Sequence, residues 1–223
     1  AKSIFFFDDN FLVDKERVMI ICERMIRKNF AIKWSCCSHV KMVNRELLAI
    51  MKRSGCVSID FGVESGSDKI LKAINKKQTR LEIEKAFTLV HESGIKPRAY
   101  LMVGNKGEDE GTVEETIQMI GNIKPWSSIG ASLAFLLPGT AMYNEAVMNG
   151  FIKDDFWMDS SDVPYNLQEH SYKELDALRQ RLMLGILKKK KNLSSLINYY
   201  LKRLYYKHAW LESLRPFIPD GFR

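Results

Sequence analysis

Two rhythms alternate along residues 3–150. Short apolar runs such as Ser3-Ile4-Phe5-Phe6-Phe7 are followed by stretches where apolar residues recur every three or four positions. The first rhythm predicts strands and the second amphipathic helices. Strands are expected over residues 3–7, 31–35, 57–61, 98–103 and 129–136. The first helix is expected over 14–28, with Val18, Ile21, Met25 and Ile26 on its apolar face. Asn44 reads as the N-cap of a second helix, which carries Leu47, Leu48 and Met51 and ends at Gly55. A short helical segment over 67–75 follows the third strand. Thr79-Arg80-Leu81-Glu82 and Thr112-Val113-Glu114-Glu115 both have the capping-box pattern, in which hydroxyl and carboxylate each take up an orphan backbone N–H. The first box opens a helix that buries Ile83, Phe87 and Val90 and stops at Gly94; the second opens one reaching about Gly121. Pro138-Gly139 breaks the last strand, and a helix over 141–149 comes after it.

Strands separated by whole helices cannot form hairpins, so these must pair in parallel through right-handed crossovers. The fold class is α/β, either a doubly wound sheet or part of a TIM-like (β/α) barrel. A closed eight-stranded barrel takes about 250 residues, and the pattern here supplies five strand–helix units. Residues 151–170 are irregular and aromatic-rich, with Phe151, Phe156, Trp157 and Tyr165. Beyond them Leu175, Leu178, Leu182 and Ile186 mark one helix face, and Leu193, Leu196, Ile197, Tyr200 and Leu204 another. The expected organisation is a β/α part over 1–150 and a mostly helical extension over 151–223.

With 46% hydrophobic and 27% charged residues among 223, the composition is that of an ordinary globular protein, which excludes collagen-like and mostly disordered classes. No window approaches the roughly 20 apolar residues of a membrane span, and no signal peptide opens the chain, so a cytoplasmic location is expected. The cysteines Cys22, Cys36, Cys37 and Cys56 lie 14, 1 and 19 residues apart, which is no disulfide framework or metal motif. The net charge of +7 is uneven: residues 171–223 hold twelve basic against four acidic residues, centred on Lys188-Lys189-Lys190-Lys191. That tail reads either as a solvated helix end, with cations at the negative pole of the dipole, or as a surface for nucleic acid or anionic membranes.

Ligands of parallel β/α folds bind at the C-terminal strand ends. Here those ends carry Asp8-Asp9-Asn10, Cys36-Cys37-Ser38-His39, Gly62-Val63-Glu64-Ser65-Gly66, Gly104-Asn105-Lys106-Gly107-Glu108 and Leu136-Leu137-Pro138-Gly139-Thr140. Each also has a structural reading: Asp8-Asp9 as a helix cap, Glu64 paired with a nearby Lys or Arg, the glycines as plain turns, His39 as a satisfied polar residue. A divalent cation between Asp8, Asp9 and Glu64 is a further reading, since carboxylates are hard oxygen ligands. There is no phosphate-binding loop, serine nucleophile elbow or zincin helix.

Taken in order, these segments resemble a known family. Phe7-Asp8-Asp9-Asn10-Phe11 with Asp14 and Arg17, Trp34, Glu46-Leu47-Leu48 with Met51-Lys52, Gly55-Cys56, and Phe61-Gly62-Val63-Glu64-Ser65-Gly66-Ser67 are similar to radical S-adenosylmethionine (radical SAM) enzymes. So are Ile70-Leu71, Asn75-Lys76, Gly94-Ile95 and Pro138-Gly139-Thr140. The resemblance is to the branch that often carries an upstream cobalamin-binding domain, and it covers residues 3–145. It implies a six-stranded partial barrel, of which these strands are the second to sixth. It also implies S-adenosylmethionine and a 4Fe–4S cluster as cofactors of the full-length protein, with cobalamin as a further candidate. In that family one-electron cleavage of S-adenosylmethionine yields a 5′-deoxyadenosyl radical that abstracts hydrogen from substrate.

By resemblance, Asp8 and Asp9 receive the S-adenosylmethionine ammonium, Glu64 and Ser65 meet the ribose, and Met102, Gly104, Leu136 and Leu137 flank the adenine. His39 stands where the family has an arginine near the carboxylate, and a neutral imidazole lacks that fixed cation. Lys106 replaces a common proline. The family's first strand and its C-x-x-x-C-x-x-C cluster loop are not in this sequence, so the chain reads as the C-terminal portion of such an enzyme, inactive alone and missing an N-terminal part of its own chain. The strand at residues 3–7 is then expected at an exposed sheet edge, open to that missing part or to self-association. The alternative is a cluster-less binding module acting through the basic tail.

Overall fold

A computed structural model describes residues 3–123, 125, 127–159 and 164–189. Five strands form one parallel sheet in the order β1-β2-β3-β4-β5: β1 (Ser3–Phe6), β2 (Lys33–Ser38), β3 (Cys56–Glu64), β4 (Lys96–Val103) and β5 (Ser127–Leu133). The helices are α1 (Lys15–Arg27), α2 (Arg45–Arg53), α3 (Asp68–Ala73), α4 (Arg80–Glu92), α5 (Glu110–Ile123), α6 (Ala141–Met148), α7 (Phe156–Asp159) and α8 (Tyr172–Lys189). Each strand pairs with its sequence neighbour. Right-handed crossovers that always advance in one direction leave their helices on one face, and the sheet curls into a half-barrel. A doubly wound sheet needs a reversal of strand order, and there is none among these strands.

The two faces of the sheet differ because side chains alternate along a strand. Ile59, Phe61 and Val63 of β3 and Ala99, Leu101 and Val103 of β4 are fully buried beneath the helices. Phe61 and Phe87 of α4 meet with ring centroids 5.4 Å apart. Trp34 of β2 is closed in by Phe6 and Phe11, and its Nε1 donates to the Ser54 carbonyl at 3.1 Å. The intervening residues Asp60, Gly62, Arg98 and Tyr100 point to the concave side.

Local signals act where the sequence places them for α1, α2 and α4. Asp14 accepts from Arg17 N, Asn44 from Leu47 N, and Thr79 with Glu82 closes a complete capping box. The second box differs. Helix α5 starts at Glu110, ahead of Thr112, because Asp109 takes the cap: its Oδ1 accepts from Thr112 N while Thr112 Oγ1 accepts from Asp109 N. Thr112 is spent inside the first turn. Strand β2 runs on to Ser38, so Cys36 and Cys37 lie within it on opposite faces. Strand β5 ends at Leu133; Phe135 then makes an isolated antiparallel bridge to Tyr165.

Helix α8 buries Leu175, Leu178, Leu182 and Ile186 in the same hydrophobic cluster as the sheet. Its Gly185 lies where a Cβ would be 2.4 Å from Ile117 Cδ1 of α5, so the helices cross closely. Lys190 and Lys191 and the expected face from Leu193 to Leu204 lie outside the described residues. Among those residues β1 pairs only with β2, which places it at a sheet edge with Phe7 just beyond it 94% exposed. No described helix is long and apolar enough to cross a membrane.

Where β3 turns toward α3, Gly66 N donates to Thr116 Oγ1 at 2.8 Å, and a Cβ on Gly66 would sit 2.7 Å from the Thr116 Cα. The obstacle is helix backbone, which cannot rotate away. Gly66→Ala is expected to lower the stability of the protein by about 1–3 kcal/mol, read as a lower urea midpoint at unchanged slope.

Candidate functional site

A cavity of about 370 Å³ opens on the concave face at the C-terminal ends of β1 to β4. Phe5, Asp8, Asp9, Asp60, Glu64, Lys76 and Tyr100 are in its lining. The sheet brings together three residues expected from sequence, Asp8, Asp9 and Glu64, although Glu64 lies more than fifty positions beyond the two aspartates in the chain. Asp8 follows the edge strand and is half-exposed, held by Arg17 Nη2 of α1 at 3.1 Å. Asp9 is exposed beside it. Asn10 ties this strand end to the next: its Oδ1 accepts from Ser38 Oγ at 2.9 Å and from His39 N at 3.2 Å.

Glu64 follows Asp60 and Gly62 on the cavity side, at a backbone irregularity. The register of β3 against β4 slips between Gly62 and Glu64, and Glu64 takes a left-handed φ of +64°. Side chains with a Cβ rarely adopt this conformation. Its carboxylate Oε1 accepts from Lys76 Nζ at 2.8 Å, with both side chains largely buried. Gln78 Nε2 donates to the Gly62 and Val63 carbonyls, satisfying the backbone that the bulge disturbs. His39 Nε2 is 3.2 Å from the Lys76 carbonyl and therefore donates, while Nδ1 accepts from Lys41 N. Both ring nitrogens are thus spent on the chain's own backbone.

A second polar group forms the floor. Asp60, fully buried, accepts from Arg98 Nε at 2.6 Å, from Arg98 Nη2 at 2.5 Å and from Tyr100 OH at 3.1 Å. Cys37 stands beside Asp60 in the register of β2 and β3. Burial, then the neighbouring Asp60 carboxylate, pushes the Cys37 thiol and the Tyr100 phenol up, so both stay protonated. Reading only the strand ends misses this group. The signal was present as alternation: Asp60 sits between Ile59 and Phe61, and Arg98 and Tyr100 flank Ala99.

The other expected residues lie elsewhere. Ser65 is fully buried, its Oγ 3.2 Å from Thr116 Oγ1 behind the sheet. Met102 is half-buried on β4. Gly104 is buried with φ +98°, and its N–H donates to Glu108 Oε2 at 2.7 Å. Leu136 packs with Tyr143 and Ala146 in a separate small cluster, and Leu137 is exposed beside it. Among the described residues no three His, Cys, Asp or Glu side chains gather as metal ligands, so Asp8, Asp9 and Glu64 do not form a cation site. Cys22, Cys36 and Cys56 are buried, their thiols pushed up chiefly by burial. These residues do not fit an iron–sulfur cluster.

A half-barrel with a ligand-sized cavity at its strand ends defines a class of cofactor-binding β/α enzyme folds. The family model of the Radical SAM superfamily matches residues 1–120, and the chain belongs to that superfamily. It is 28% identical over 156 residues to an uncharacterized methyltransferase of Pyrococcus horikoshii, covering 70% of this chain and 34% of that protein. It is 25% identical over 133 residues to the anaerobic magnesium-protoporphyrin IX monomethyl ester cyclase of Rubrivivax gelatinosus, covering 59% of this chain and 23% of the cyclase. The chain therefore spans about a third of the length of the first relative and about a quarter of the second. Among solved structures it resembles the radical S-adenosylmethionine methyltransferase TsrM of Kitasatospora setae, whose structure holds cobalamin and a 4Fe–4S cluster. That match has a TM-score of 0.60 at 18% identity and covers 66% of this chain and 31% of TsrM.

Two outcomes follow from the polar groups. Asp60→Ala leaves the Arg98 guanidinium without its buried partner and is expected to lower stability by about 3 kcal/mol, measured by chemical denaturation. Burial pushes Glu108 up to about 6 from 4.5, against two backbone N–H bonds that pull it down. The folded state thus holds the Glu108 proton more tightly than the unfolded state does. The stability linked to this group is full below the ordinary carboxylate range and is lost as pH rises through about 6. The wild type should lose about 2 kcal/mol relative to Glu108→Gln between pH 4 and 7, seen as diverging melting temperatures.

Proposed function

We propose that this chain supplies the S-adenosylmethionine-facing wall of a radical SAM enzyme, with the ligand in the concave cavity at the ends of β1 and β3. One observation carries the reading: Asp8, Asp9 and Glu64 converge on a single 370 Å³ cavity. That volume lies in the range of roughly 300–1,000 Å³ typical of cofactor sites. The carboxylates suit S-adenosylmethionine, which carries an ammonium, a sulfonium and two ribose hydroxyls. Asp8 and Asp9 accept charge-assisted hydrogen bonds from the ammonium, and Glu64 accepts from the hydroxyls. Phe5 and Tyr100 supply apolar wall and exclude water. The curled sheet holds these groups on rigid strands, which fixes the ligand's orientation.

In such enzymes the bound S-adenosylmethionine supplies a hydrogen-abstracting 5′-deoxyadenosyl radical. The relatives include a methyltransferase and a cyclase, which supports a transformation of a carbon framework; the substrate class is left to the parts of the protein around this wall. The TsrM likeness supports a place in the cobalamin-associated branch. No step here runs through a cluster, because the described cysteines do not fit one.

Isothermal titration of the protein with S-adenosylmethionine, without reductant so that the sulfonium stays intact, tests the proposal. Asp9→Asn and Glu64→Gln are each expected to weaken binding by about tenfold. Unchanged affinity in both variants would remove the assignment of the ligand to this cavity.

A further inference from the structure

Strained backbone is concentrated at one place. Among the described residues four non-glycine residues have left-handed φ: Asn29, Glu64, Asn75 and Lys77. Three of the four belong to the β3 bulge and the loop that faces it. Such conformations persist only where the surroundings over-determine them, and they mark ligand clamps and active sites. The surroundings here are specific. Lys76 sits between the two strained loop residues, its carbonyl held by His39 and its ammonium by Glu64. Gln78 fastens the same loop to β3.

Gly62 makes room for the pair. A Cβ at that position would lie 2.8 Å from Glu64 Oε1 and 2.9 Å from Lys76 Nζ. Strand, bulge and loop therefore all serve to bring one ammonium against one carboxylate at the cavity wall. Lys76 takes Oε1 only, and among the described residues Oε2 accepts no hydrogen bond. Asp8, Asp9 and Asp60 line the same cavity; Arg17 holds Asp8 and Arg98 holds Asp60, and Lys76 supplies the corresponding cation for Glu64.

We infer that Lys76 is a positioning residue. It holds the Glu64 carboxylate at one oxygen so that the other is presented to a hydroxyl of the ligand. The inference rests on the proposed S-adenosylmethionine site and adds the residue that orients its ribose-binding carboxylate. It also explains why Gly62 lacks a side chain: a methyl group there would part the pair without removing either charge.

The test is titration of the full-length protein with S-adenosylmethionine, without reductant, in four forms: wild type, Lys76→Met, Lys76→Arg and Gly62→Ala. Lys76→Met and Gly62→Ala are expected to weaken binding by about tenfold, and Lys76→Arg, which keeps the cation, to stay within about threefold of wild type. The atoms that a Gly62→Ala methyl would meet are flexible side-chain ends, so that variant folds and keeps the test decisive if Lys76→Met does not. Wild-type affinity in Lys76→Met or in Gly62→Ala overturns the inference and leaves the ligand site standing. A loss in Lys76→Arg as large as in Lys76→Met also overturns it, because the role assigned is that of a cation. A wild type that fails to bind removes the site itself, and this inference with it.

Discussion

The end of β3 is the constraint on which the site depends. From Ile59 to Val63 the strand alternates between a face packed under helices and a face open to the cavity. The register then slips between Gly62 and Glu64, and Glu64, on the cavity side like Asp60 and Gly62, takes a left-handed backbone conformation. The next two residues lock the turn from behind through Thr116 of α5. The carboxylate in front is therefore set by a helix packed behind the sheet. Gly66 and Gly62 act on opposite sides of the same strand end: one permits helix backbone to approach, the other permits an ion pair to form.

The half-barrel also explains why the concave face is polar. In a closed barrel such a face is filled by interdigitating branched side chains. Here it carries Asp60, Arg98 and Tyr100, which are too polar to form a core and too well paired to be merely solvated. A bidentate pair of this kind fixes geometry more than it adds stability, since desolvating both charges offsets most of their attraction. Rigidity is what a wall that must present carboxylates to a charged ligand requires.

Much of this was legible in the sequence. The five strands, the helices between them and the caps at Asp14, Asn44 and Thr79 follow from periodicity and side-chain chemistry that act within a few residues. Strand ends were less well defined. Lys33–Ser38 continues past the expected stop because Cys36 is apolar enough to join the core, and composition alone does not separate a strand's last buried residue from a loop. Asp109 outcompeted Thr112 as a cap because an aspartate one turn earlier reaches the same N–H groups. Asp8, Asp9 and Glu64 share one cavity because each stands at a strand end, whereas Ser65 and Leu136, also at strand ends, are turned into packing. Lys76 and Arg98 act through partners 12 and 38 residues away, relations created by the loop after α3 and by the register of β3 and β4 respectively.

The order of the strands has a consequence for how the chain acquires its shape. Each strand's partner is the one made immediately before it, so no pairing must wait for a distant segment, and every closure spans one or two helices. Loop closures of that size come at modest entropic cost and favour rapid folding. A chain emerging N-terminus first from the ribosome can add strands one at a time to a growing edge. The carboxylates of β1 are then in place before β3 is complete, and the cavity takes form as the sheet curls.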